Sequence, residues 1–174
     1  MRLLLGLVGL LLVAGCSQAG AGTPVPAAAG RMPADFAATV VYRNGSVPPE
    51  YHYEWVLRVD ETTAELSWRP GYERDQESWV ETVPVTGEQR AEFHRALRSA
   101  GALDPVPPVD SGIAGGPTGS IELTAGGSTR DLGTLGLTHE AQDILDRVHD
   151  AAENLLPAEV WTTMTDRQRS WGGR

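Results

Sequence analysis

The chain has 174 residues, with 14 basic against 23 acidic side chains and a net charge of −9 with histidine neutral. Every basic residue is arginine, which excludes Schiff-base chemistry and the phosphate-reaching lysine of a P-loop. A single cysteine excludes an internal disulfide and zinc sites built on several thiolates, and the acidic balance disfavours a nucleic-acid partner, whose phosphates need cations.

In chain order, Met1-Arg2 is followed by an unbroken apolar run from Leu3 to Val13. A charged start, a short apolar core and small residues at its end have the form of a secretory signal. The run is too short for a spanning helix, which needs about 20 residues. Leu12-Val13-Ala14-Gly15-Cys16 resembles the lipobox of bacterial lipoproteins. The resemblance implies cleavage before Cys16 and a diacylglyceryl group on its sulfur, so that residues 1–15 are a signal peptide. Two acyl chains suffice for stable anchoring, and they place the protein on the outer face of the cell membrane. Losing Arg2 leaves the mature chain more acidic still, so lipid rather than charge holds it to an anionic bilayer. Acylation would also consume the only thiol.

Residues 16–33 carry the lipidated cysteine and a small, Gly/Ala/Pro-rich stretch, expected to be a flexible tether. One folded domain is expected over residues 34–164, with 165–174 a loose tail whose sole anchor candidate is Trp171. Within the domain, Phe36, Ala38, Val40 and Tyr42 alternate with Ala37, Thr39, Val41 and Arg43 up to the Asn44-Gly45 turn signal, which predicts a strand. A second strand is expected over Tyr51–Val59, with Tyr51, Tyr53, Trp55, Leu57 and Val59 on one side and His52, Glu54, Val56 and Arg58 on the other. After a turn at Asp60–Thr63, Ala64, Leu66 and Trp68 continue the apolar side, and Ser78–Val85 is the fourth strand.

Thr86 with Gln89 three residues on fits a capping box, opening a helix that carries Phe93, Leu97 and Ala100 and closes at Gly101. A long loop follows from Asp104 to Gly119. Ile121, Leu123 and Ala125 form a fifth strand, Gly126-Gly127 a hairpin, and Ser128–Thr134 the return strand. Thr138 caps a second helix with a stripe of Ile144, Leu145, Val148, Ala152 and Leu155. Pro157 opens a short turn bearing Val160 and Trp161. The expected architecture is α+β: a single antiparallel sheet of about six strands, in the order ββββαββα, with two helices on one face.

Asp110-Ser111-Gly112 resembles the catalytic loop of retroviral-type aspartic proteases, which implies an aspartate sharing a proton with a second copy. Pro105, Pro107 and Pro108 precede it where that loop should leave a hydrophobic strand, which favours a simple turn. Gly115-Gly116-Pro117-Thr118-Gly119 precedes a strand, whereas phosphate cradles precede a helix. The histidines His52, His94, His139 and His149 are dispersed. His52 shares a strand side with Glu54, while His139–Asp143 and His149–Glu153 are four apart on a helix. No spacing specifies three or four convergent ligands, so neither a metal nor a cofactor is expected.

Tyr51, Tyr53, Trp55, Trp68 and Trp79 form the candidate binding surface, in competition with a role as core filling. The body is similar to small secreted lipoproteins, and the favoured expectation is a non-catalytic envelope module. Its partners would be the membrane, through the anchor, and an envelope protein or glycan. Two other readings stay open: an envelope hydrolase acting through Asp110 or a His/carboxylate cluster, and an inhibitor or immunity-type lipoprotein.

Overall fold

Apolar side chains at every second position put one side of a strand against a core and leave the other free. The computed structural model describes residues 31–106 and 112–172. The first such stretch is β1 (Ala37–Arg43). β2 (Tyr53–Val59), β3 (Thr63–Pro70) and β4 (Trp79–Pro84) follow it as an antiparallel meander. Helix α1 (Gly87–Ser99) leads to β5 (Thr118–Ala125), which returns to pair with β1, and β6 (Ser128–Leu135) pairs with β5. Helices α2 (His139–Leu155) and α3 (Ala158–Trp171) complete the chain. The protein is thus α+β, with one open antiparallel sheet in the order β4-β3-β2-β1-β5-β6.

Local chemistry sets most of the boundaries. The Asp60 carboxylate accepts from Thr62 N at 2.8 Å and Thr63 N at 2.7 Å, closing the β2–β3 turn. These donors hold its pKa below the ordinary 3.8. Asp35 does the same for the β5–β6 hairpin, accepting from Gly126 N at 2.9 Å and Gly127 N at 2.6 Å, and its pKa is lowered by those two bonds. The start of the domain is thereby fastened beside that hairpin. The capping box forms: Thr86 Oγ1 accepts from Gln89 N at 3.2 Å, and Gln89 Oε1 accepts from Thr86 N at 2.9 Å. Gly101, at φ 78°, takes the left-handed position after α1. Thr138 Oγ1 accepts from Ala141 N at 3.1 Å to start α2.

One sheet side and the helices enclose a single apolar cluster. Ala38, Val40, Trp55, Leu57, Val59, Ala64, Leu66, Trp68, Ile121 and Leu123 meet Phe93 and Leu97 of α1, and Leu145, Val148 and Ala152 of α2. His94 is buried with this group, its ring edge-on to Phe36 at 4.9 Å. Burial, and secondarily Arg98 one turn on, push its pKa below 6.5. Among the described residues, no helix is long and apolar enough to cross a membrane.

Two expectations give way here. Among the described residues there are three helices rather than two, and residues 165–171 of the expected loose tail are the last turns of α3. Trp161, Met164, Gln168 and Trp171 recur at helical spacing, but a glutamine in the stripe conceals it from any reading by hydrophobicity. Gln168 is buried and joins three segments. Its Oε1 accepts from Trp68 Nε1 at 3.0 Å, and its Nε2 donates to Glu50 O and His52 O, both at 3.1 Å. The Trp171 ring lies over Gly71, where an added Cβ would stand 2.6 Å from Cη2, so the helix end docks only on a glycine.

Replacing Gln168 by Leu should cost about 2 kcal/mol, because it strands a buried indole N–H and two carbonyls. Urea denaturation followed by tryptophan fluorescence checks this. The His94 shift favours the neutral ring in the folded state, so the unfolded chain binds the proton more readily. Its contribution is complete above 6.5 and is lost as the pH falls below that value. The thermal midpoint should therefore drop between about pH 7 and about pH 5, and drop less in His94→Gln.

Candidate functional site

The three helices pack on one side of the sheet, and strand alternation dictates what the other side carries. Register aligns the outward residues in rows across the strands. The central row is Ser120, Val41, Val56, Ser67 and Val80. On one side of it runs Glu122, Thr39, Arg58, Glu65 and Thr82. On the other runs Thr118, Arg43, Glu54 and Arg69. A small apolar and hydroxyl stripe is thus flanked by two charged rows. Val80, at 51 %, is one of the few large apolar side chains left exposed.

The charges on this face pair with each other. Glu54 bridges two guanidiniums, with Arg43 Nε at 3.3 Å from Oε1 and Arg69 Nη2 on Oε2. Arg58 Nη1 reaches Glu65 Oε1 at 3.1 Å. On β5, β1, β2 and β3 three arginines and three glutamates cancel, on a chain whose net charge is −9, and Asp131 of β6 extends the Glu122 row. The face is thus open, locally charged and close to neutral on its central strands.

His52 lies at the end of the Arg43–Glu54–Arg69 row and is 3 % exposed. Its Nδ1 stands 3.1 Å from Gly45 O and must carry hydrogen to bond there. Nε2 has no hydrogen-bond partner and stands 3.8 Å from Glu54 Oε1. The Tyr72 ring stacks on the imidazole at 3.7 Å, pinned by its hydroxyl donating to Val47 O at 2.7 Å. The structure therefore brings His52 and Glu54 together, but seals the ring from any substrate that would need it as a base.

The five aromatics of the candidate binding surface separate. Trp55, at 1 % exposure, and Trp68 lie in the core, with Tyr53 and Trp79 half-buried against it. Only Tyr51, at 65 %, stands out, because it precedes β2 and does not share its alternation. The core rings are ordered: Tyr42 stacks on Trp55 at 5.2 Å, Tyr53 on Trp68 at 4.2 Å, and Trp161 meets Trp55 edge-on at 5.6 Å. Burial pushes the Tyr42 hydroxyl up to about 12, with Tyr53, Asp146 and Glu153 adding to it. The Tyr53 hydroxyl is also raised, first by burial and then by Glu153.

Of the helical pairs, His149 and Glu153 approach, with Nδ1 3.7 Å from Oε1. Together with Asp150 they offer three donor atoms within 4.8 Å of one another. The His149 ring packs on Tyr42 at 4.8 Å, while Asp150 and Glu153 are exposed carboxylates on the helix surface. Two solvated carboxylates and one half-buried imidazole could hold a divalent ion only weakly. His139 is the first residue of α2 and exposed, and His94 is in the core. Asp110, Ser111 and Cys16 lie outside the described residues. The glycine-rich string packs against the β1–β2 loop, where Ser46 N donates to Gly115 O at 3.0 Å.

A cleft of about 540 Å³ lies between the end of α1 and the start of α2, lined by Ala100, Asp104, Val106, Thr138, Ile144 and Arg147. Arg147 is held there by Ala100 O at 3.2 Å.

No protein-family model matches the chain, and no curated protein sequence matches it.

Replacing Glu54 by Ala should leave the guanidiniums of Arg43 and Arg69 facing each other without a carboxylate between them. Surface pairs are worth little, so the expected loss is about 1 kcal/mol, shrinking as salt screens the repulsion. Urea denaturation at low and high ionic strength reads both the loss and its salt dependence.

Proposed function

We propose that the chain is a bacterial lipoprotein whose domain is a non-catalytic interaction module on the outer face of the cell membrane, with the open sheet side as its working surface. One observation carries this reading. The sheet presents Val41, Val56 and Val80 beside rows of paired charges, with no helix over them among the described residues. A stripe of apolar side chains rimmed by polar ones has the anatomy of a protein-binding patch. The buried position of Trp55 and Trp68 favours a protein partner over a glycan, which would need exposed rings. The burial of His52 and its commitment to Gly45 O weigh against the hydrolase reading through that residue.

The anchor rests on the apolar run from Leu3 to Val13 and on Cys16 at its end. Labelled palmitate fed to cells expressing the full chain should appear on the protein in the membrane fraction. The Cys16→Ser variant should carry no label, and should be found soluble outside the membrane or uncut. An unlabelled parent chain in the cytosol would defeat the reading.

A further inference from the structure

We propose that the partner of the open sheet face is a second copy of this chain, the two sheets packing face to face about a twofold axis that runs along the central row, across the strands. The proposal rests on the reading of this face as the working surface, and it names what covers it.

The register singles out that axis. A twofold along the row Ser120, Val41, Val56, Ser67, Val80 turns each strand end for end and lays each central residue against its own copy. Val41, Val56 and Val80 then meet valines. Residues two places either side of the row exchange. Arg58 falls opposite the partner's Glu54, and Glu65 opposite the partner's Arg69. Each of these pairs occurs twice in the dimer. A twofold along β2 would instead set Arg58 on its own copy and Glu54 on its own copy, whereas one running between β2 and β3 would set Arg58 against Glu65 and Glu54 against Arg69. The central-row axis is the one that lays each valine of the row on its own copy while opposing unlike charges on β2 and β3.

Charge elsewhere on the chain points the same way. Two molecules of net charge −9 repel over most of their surfaces, and least where three arginines offset three glutamates. Twisted sheets of this kind pack aligned, about 30° apart, and the paired charges sit on central strands where that rotation displaces them least. Five strands and three outward rows cover roughly 500 Å² per copy, or about 1,000 Å² for two, the lower limit for a specific interface. The dimer is therefore weak in solution and favoured where two copies share a membrane. With the axis along the membrane normal, both domains start at the same height. Residues 16–33, fully extended, can reach about 60 Å, ample for both.

Sedimentation of the full chain in mild detergent, corrected for bound detergent, should give a dimer. Val56→Arg should give a monomer with an unchanged circular dichroism spectrum. Glu65→Arg and Arg69→Glu should each weaken the dimer about tenfold by opposing like charges. The double variant should restore it, because positions 65 and 69 again face unlike charges across the axis. Loss of fold could not produce that restoration. In intact cells, Val56→Cys treated with a short bis-maleimide should yield a species of twice the chain mass, absent from the unsubstituted chain. A monomeric parent chain, a dimer indifferent to Val56→Arg, no rescue in the double variant, or a cross-link to a different protein would each overturn the proposal. Palmitate labelling is read separately, so failure of the anchor and failure of the dimer are distinguishable.

Discussion

A sheet has two sides, and three helices of this length cover one. That asymmetry governs the molecule. Trp55, Leu57, Leu66 and Ile121 leave water because the three helices lie over them. Each large apolar side chain so buried contributes about 1.5–3 kcal/mol relative to exposure. The alternation of the strands then forces Val41, Val56, Ser67 and the charged rows onto the opposite side, away from the three described helices. The free face is a direct consequence of how the core is closed.

The helical layer is completed by polar chemistry rather than by more apolar surface. Trp68 is large enough to fill the end of the sheet, but its indole N–H needs an acceptor there. Gln168 supplies it and uses its own amide hydrogens on Glu50 O and His52 O. A single side chain thus ties α3 to β3 and to the segment leading into β2. The same segment holds His52, which is braced by Gly45 O and the Tyr72 ring and borders the Arg43–Glu54–Arg69 network. One end of the open face is therefore held rigid from behind by the helices.

Charge placement separates this face from the rest of the surface. Glu54 is the hinge of the arrangement, since it answers two arginines from neighbouring strands at once. Such pairs add little to stability where solvent reaches them. Their consequence is specificity: they fix where positive and negative charge stand on a flat surface, and so which orientation of a partner can approach. A stripe of valines between those rows supplies the apolar contact that charge alone does not.

Most of the elements could be read from residue order. The strands showed through period two, α1 through its Thr86–Gln89 box and Gly101, and the hairpin through Gly126-Gly127, because each is a property of neighbours along the chain. The α+β class followed from their sequence, as did the arginine-only, single-cysteine composition that excludes several chemistries. Tertiary structure alone decided three matters. It made a helix of residues 165–171, whose stability comes from Gln168 and Trp171 meeting Trp68 and Gly71, residues about a hundred positions away. It sent Trp55 and Trp68 inward while leaving Tyr51 out, since only packing says which side of a strand is covered. It also set Arg58, Glu65, Glu54 and Arg69 around the valine row, because register between strands is a long-range pairing that no local pattern encodes.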